Sequence, residues 1–206
     1  MTSAVKLLVH AALAACLMAT CLYSNDQDDA RYAELVKQAL RGDPGVDFRE
    51  LRFACLKAAN CDSAGDSKDV LAMRGAIRQK EFAQAAKLAE RLIEQGFINI
   101  DAHITCTEAY TELGETAKAD AHREIARALI RSIMKSGDGK SKETAFEVVG
   151  THEEYIVLSM LGLRPRSQGL IAGKPHSYDR LDAVDAKSGE KVTLLFNIDA
   201  FFPPKM

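Results

Sequence analysis

The sequence predicts an α+β fold: N-terminal helical hairpins, then a small, mostly antiparallel sheet with one short helix. Three observations lead there. Apolar residues recur at helical spacing from Tyr32 to Ile133. Within that stretch the chain resembles itself at a fixed offset. After Gly137 the pattern changes to short β-like runs separated by turn residues. The expected division is an export signal over residues 1–24, a helical repeat region over 25–136, and an α+β region over 137–206 packed on the helices.

Lys6 precedes an apolar run, Leu7-Leu8-Val9 and Ala11 to Ala15, that ends at Cys16. The run is shorter than the roughly 20 apolar residues of a membrane-crossing helix. Its basic start, apolar middle and small-residue end are those of a bacterial export signal. Two endings stay open. Leu13-Ala14-Ala15-Cys16 has the form of a lipobox, with Cys16 as the lipid-modified first residue. Apolar character through Leu17, Met18 and Ala19 also suits ordinary cleavage near Ala19-Thr20-Cys21. His10 inside the run counts against both, and an intracellular protein with an apolar first helix is the competing reading. The polar run Ser24 to Asp29 stands where a mature chain would begin. The expected location is the periplasm, with the protein soluble or lipid-anchored.

The first helix is expected at 29–41, capped by Asp28 or Asp29, with Tyr32, Leu35, Val36, Ala39 and Leu40 on one stripe. Gly42-Asp43-Pro44-Gly45 ends it as a turn, and a second helix follows from about Phe48 to Ala59. From Lys68 to Ser136 the repeat sets in: Ala76 and Tyr110, Lys80 and Gly114, Glu81 and Glu115, and Ala85 and Ala119 are all separated by the same interval. That interval, about 34 residues, is the period of tetratricopeptide repeats, each a pair of antiparallel helices. The match is partial, because Thr107 and Arg123 stand where smaller or aromatic residues are usual. Two such repeats need flanking helices as caps.

Two glycines in Lys135-Ser136-Gly137-Asp138-Gly139-Lys140 stop the helical part. Beyond them Thr144 to Val149 reads as a strand, and His152 to Leu161 as a short helix capped by Thr151 with Glu154 three residues on. Gln168 to Ala172, Tyr178 to Asp185 and Lys191 to Ile198 read as strands, the last two joined by a hairpin turn at 186–190.

Composition bounds the function. Hydrophobic content of 47% with 27% charged residues suffices for a packed core. A net charge of -2 without a basic stripe gives nucleic-acid binding no electrostatic support. Of five cysteines, Cys16 and Cys21 belong to the export segment. Cys55 and Cys61 either bridge, as an oxidising compartment would allow, or remain two thiols. Cys106 sits in a helical pattern as a core filler. Without a CxxC pair, zinc has no case, and no metal or cofactor is expected.

Motif by motif, chemistry is scarce. Gly139-Lys140-Ser141 has the ending of a phosphate-binding loop, but Met134 occupies the place of its first glycine. Asp138-Gly139-Lys140 opens like a calcium loop that Val149 fails to close. His152-Glu153-Glu154 lacks the second histidine of a zinc-protease helix, since Ile156 stands there. Cys106 and His122 lie eight residues either side of Gly114, so a thiol–imidazole pair across a hairpin is conceivable, against a buried thiol beside a packing histidine. Ser nucleophiles have no Gly-x-Ser-x-Gly signal.

One larger pattern runs through the chain. Val46-Asp47-Phe48-Arg49-Glu50-Leu51-Arg52, Asp101-Ala102-His103, Ala121-His122, Ser136 to Ser141, Thr144-Ala145-Phe146, Glu153-Glu154-Tyr155, Tyr178-Asp179 and Phe196-Asn197-Ile198 together resemble the uncharacterised bacterial family catalogued as domain of unknown function 4919. The likeness covers about residues 30–200. It implies an exported or envelope protein with repeat-like helices and an α+β C-terminal region, and carries no catalytic role. Leu195 departs from the aromatic residue usual in the family, and Cys55 and Cys61 are particular to this chain.

Two functions follow from different classes. The first is an envelope interaction module whose helical hairpins bind a protein or peptide, with the membrane reached only through a lipid anchor. The alternative is an enzyme with a polar site at the helix–sheet junction, where His103, His122, Asp138, Lys140, Glu153 and Tyr155 would converge.

Overall fold

The computed structural model describes residues 26–59, 61–62 and 67–204. The export segment and Cys16 lie outside the described residues.

Helix α1 (26–40) is already running at residue 26. Asp29 is therefore interior rather than its cap, and its carboxylate accepts the Ala59 N–H at 2.7 Å instead. α1 buries Leu35 and Ala39. α2 (Phe48–Lys57) starts at Asp47, whose side chain accepts from the N–H groups of Arg49 and Glu50 and so satisfies two orphan donors. Cys55 and Cys61 form a disulfide just beyond α2, with a Cα–Cα separation of 5.3 Å. The Tyr32 hydroxyl lies 3.1 Å from Cys61 Sγ and accepts the Phe97 N–H.

Four helices follow: α3 (Ser67–Arg78), α4 (Phe82–Gln95), α5 (Ile100–Glu112) and α6 (Thr116–Met134). The α3–α4 and α5–α6 turns repeat each other bond for bond. Glu81 N–H donates to Ala76 C=O at 2.9 Å, and Glu115 N–H to Tyr110 C=O at 2.8 Å. Lys80 and Gly114 both take left-handed backbone, with φ 60° and 77°. Ala76, Ala85, Ala86, Ala89, Ala102, Ala109 and Ala119 are buried in the core between these helices, where small side chains let helix axes approach closely.

The sheet comprises β1 (Phe146–Glu147), β2 (Leu163–Ile171), β3 (Tyr178–Asp185) and β4 (Lys191–Asn197), in the order β1-β4-β3-β2. β1 pairs parallel with β4, and the other pairings are antiparallel. Helix α7 (Thr151–Met160) lies between β1 and β2 in the chain. The expected strand over 144–149 shrinks to two residues because the 138–144 turn bonds to itself and Val149 N–H goes to a side chain, Glu153. β2 starts five residues before the expected Gln168, extending across Pro165 by a bulge near Arg166. Edge position makes that tolerable, since a proline there costs no inner ladder bond. Thr151 does not cap α7: the cap position is Gly150, with no side-chain bond.

The larger apolar core joins Leu35, Leu51, Leu129 and Ile133 from the helices to Phe146, Leu181, Leu194 and Phe196 of the sheet. It crosses the boundary between residues 136 and 137. No helix among the described residues is long and apolar enough to cross a membrane.

Candidate functional site

The six polar residues expected to converge do not form one pocket. Asp138 and Lys140 sit in an exposed turn, where Asp138 Oδ1 accepts from Lys140 N–H and from the Thr144 hydroxyl. The Gly139-Lys140-Ser141 turn is tied to the sheet by Leu195 N–H donating to Gly139 C=O at 2.8 Å. Glu153 is fully buried, and Tyr155 of α7 is 44% exposed. His103 and His122 touch only each other among the six.

Glu153 is committed to Arg52, which the sequence did not single out. Arg52 Nε and Nη2 donate to Glu153 Oε1 and Oε2 at 2.8 and 2.7 Å. Nη2 also reaches Glu147 C=O at 2.7 Å, and Nη1 the Ser132 hydroxyl at 3.2 Å. Arg49 makes a second fork, to Glu147, at 2.5 and 2.9 Å. The sequence signals for Arg52 were its place in the family-like stretch Val46 to Arg52 and its position between Leu51 and Cys55 on the buried stripe of α2. Fully buried, with four of the guanidinium's five N–H donors engaged, the pair holds elements together and faces no cleft among the described residues.

The histidine pair is a directed chain. Phe97 C=O only accepts, so His103 Nε2 carries the proton of that 2.8 Å bond. His103 Nδ1 is then an acceptor, and His122 Nδ1 donates to it at 3.0 Å. Burial pushes the His103 imidazole down to about 4, with the Phe97 bond opposing and His122 adding to the shift. Cys106 is not partnered by His122. Burial, then the Glu90 carboxylate, push its thiol up to about 12, which leaves no thiolate for nucleophilic work. His122 instead stacks on Tyr110, whose hydroxyl donates to Glu90.

A second cluster joins α7 to the sheet. Gln168 Nε2 donates to Asp179 Oδ2 at 2.5 Å and approaches Glu154 Oε2 at 3.4 Å, while its Oε1 accepts from the Tyr155 hydroxyl at 3.2 Å. Glu154 Oε1 is buried without a hydrogen-bond partner among the described residues. Burial first, then neighbouring Asp179, push the Glu154 carboxyl up to about 8, so it stays protonated near neutral pH.

The concave surface beside this cluster is the best candidate site. A cleft of about 450 Å³ is built by three helices from separate stretches of chain: Arg74 of α3, Asp101 and Ile104 of α5, and Tyr155, Ser159 and Met160 of α7. Ile104, Tyr155 and Met160 are 43%, 44% and 56% exposed, so apolar side chains stand open to solvent. Arg74 Nη2 donates to Asp101 Oδ2 at 2.9 Å on the rim. Leu71, one turn before Arg74, adds a further exposed apolar side chain on α3. Of the six expected residues only Tyr155 belongs here, because the cleft is formed by helix packing that no local spacing encodes.

No curated protein and no solved structure matches the chain. A family model does match, over residues 45–204, and its description is Domain of unknown function (DUF4919). That span begins just before the Asp47-capped α2 and ends after β4, and so includes both arginine forks, the histidine pair and the three-helix cleft; the chain belongs to this family.

Proposed function

We propose that the protein is an exported interaction module of the cell envelope that holds an extended peptide segment in the α3/α5/α7 cleft. The observation that carries this is the open row of Ile104, Tyr155 and Met160 across two helices, bordered by the Arg74–Asp101 pair. Exposed apolar side chains in a concave surface with a polar rim are the makings of a recognition site. The hairpin turns at Lys80 and Gly114, with matching bonds one repeat apart, support a tetratricopeptide-like origin for the helices, whose first members line a concave face. The Cys55–Cys61 bridge supports export, since such bonds persist outside the reducing cytoplasm.

The test is a screen of an extended-peptide library against the mature domain by fluorescence anisotropy. Peptides that bind wild type should lose about tenfold or more in affinity with Ile104→Glu or Tyr155→Ala, while circular dichroism shows intact folding. Binding unaffected by both substitutions would overturn the reading. Mass spectrometry of the mature N-terminus tests the export side: a diacylglyceryl group on Cys16, or a free amine further along, agrees with it, and an intact Met1 does not.

A further inference from the structure

A separate cleft, of about 570 Å³, lies where the 171–176 loop meets the end of α6 and the 142–147 segment. The peptide reading makes no use of it. Lys142, Lys174, His176 and Tyr178 line it. We propose that this cleft binds a small oxyanion, a phosphate or carboxylate group, between the Lys142 and Lys174 ammoniums and the His176 ring.

The charge balance favours an anion over a cation. Carboxylates around the cleft are already engaged. Glu147 is held by the Arg49 fork at 2.5 and 2.9 Å. Asp199 accepts from His176 Nδ1 at 2.5 Å and from Ser177 N–H at 2.8 Å. The nearby Ser141 hydroxyl, then the residue's own backbone N–H, hold the Glu143 carboxyl below the usual range. Lys142 and Lys174 are both exposed, and neither ammonium forms an ion pair within 4.0 Å among the described residues. With the His176 ring doubly protonated Asp199 is neutralised as well, and the two ammoniums then face one unpaired carboxylate among the described residues, Glu143. A metal ion would find no carboxylate free to leave its present partner without cost.

The orientation of the His176 ring is fixed in advance. A carboxylate only accepts, so the His176–Asp199 bond places the ring proton on Nδ1 and leaves Nε2 as the open nitrogen. Asp199 is itself anchored, since its N–H donates to Asn197 Oδ1 at 3.0 Å at the end of β4. Tyr178 joins the wall: its ring meets the His176 ring at 6.2 Å and 74°, and the Lys142 ammonium lies 5.8 Å from its centroid. In the doubly protonated ring Nε2 is a donor as well, so an imidazolium held by Asp199 beside two exposed ammoniums offers an oxyanion several N–H donors at once.

The experiment follows the His176 ring signals by NMR on the whole mature domain. Inorganic phosphate and malonate are titrated separately, at constant ionic strength set with chloride. Saturable movement of the His176 signals with phosphate alone assigns a phosphoryl ligand, with malonate alone a carboxylate, and with both a general oxyanion site. The Lys142→Met/Lys174→Met variant should weaken binding about tenfold or more, and Lys187→Met in the β3–β4 turn should leave it unchanged. Both lysines are exposed, so the variant keeps its core. Absence of saturation with both probes, or equal affinity in the double variant, would overturn the proposal. Tyr155→Ala, which reads out the peptide cleft, should leave the phosphate and malonate responses untouched, so the two readings fail separately.

Discussion

Arg52 and Glu153, 101 residues apart in sequence, form a two-pronged ion pair with both side chains fully buried. Around it meet α2, α6 through Ser132, the β1 backbone through Glu147 C=O, and the start of α7 through Val149 N–H. A buried pair gains little net stability over a well-packed apolar pair, but losing one member strands the other's charge. Arg52→Met and Glu153→Gln should therefore each cost about 3–5 kcal/mol in urea unfolding, and Arg52→Met/Glu153→Leu should recover much of that loss. Arg52→Lys should fail as well, because three donors on a point-like ammonium cannot replace a planar fork that serves two carboxylate oxygens, a carbonyl and the Ser132 hydroxyl. Additive losses in the double variant would show that the two side chains act independently.

His103 and Glu154 bend the pH dependence of stability in opposite directions. The folded state holds His103 at about 4 against an ordinary 6.5. Between those values the unfolded chain binds more protons, so stability falls as pH drops from 6.5 towards 4. Glu154 sits at about 8 against an ordinary 4.5. Between those values the folded chain binds more protons, so stability falls as pH rises through 8. From pH 4.5 to 6.5 the two slopes oppose each other, and the wild-type profile should be nearly flat in their contribution. Each single substitution unmasks the other: Glu154→Gln should show stability climbing with pH in that window, and His103→Gln should show it declining. At pH 8 Glu154→Gln should be more stable than wild type by about 1–3 kcal/mol, since a neutral amide escapes the burial penalty. Urea titrations at half-unit pH steps supply the measurement.

These two groups also mark where sequence reading stops. Local signals were legible: the helical stripe of α1, the β3 and β4 strands, and the turns at Gly114 and Gly189 all depend on residues a few positions apart. Glu153 and Glu154 are adjacent at a helix start, where sequence reading puts Glu154 in a capping position and Glu153 in the polar cluster. Their environments diverge only through distant partners. Arg52 lies 101 positions from Glu153, Gln168 lies 14 from Glu154, and Asp179 comes from a strand further on. His176 and Asp199 stand 23 apart with no motif between them. The expected six-residue site failed for the same reason, because it assumed that polar residues at a junction face inward together.

The Cys55–Cys61 disulfide closes a loop with a sequence separation of 6. A loop of that size stabilises by about 2 kcal/mol in the chain-entropy account. The Cys55→Ala/Cys61→Ala variant should lose about that much, and dithiothreitol should lower the wild-type melting temperature without further effect on the variant. Packing adds to the loss, since Cys55 is fully buried against Leu51 and its neighbours. Intact mass with and without reductant checks the bridge, a difference of two hydrogen atoms distinguishing the states.

Three left-handed positions should separate strain from crowding. Lys80 holds φ 60° with a side chain, so Lys80→Gly should raise stability by about 0.5–1 kcal/mol. Gly114, at the matching turn, has φ 77° and open space where a Cβ would go. Gly114→Ala meets backbone strain alone, about 1–2 kcal/mol. Gly139 has φ 71°, and a Cβ there would come within 2.8 Å of Phe146 Cε2 and 3.1 Å of Leu194 Cδ2. Those atoms belong to the larger core, where Phe146 packs on Phe196 at 5.7 Å between ring centroids. Gly139→Ala adds overpacking to the same strain and should cost about 2–4 kcal/mol in all. Melting temperatures should therefore fall in the order Lys80→Gly, wild type, Gly114→Ala, Gly139→Ala. An equal loss at the two glycines would mean that the 138–144 turn yields by moving off Phe146, and that its bond from Leu195 N–H does not hold it to the sheet.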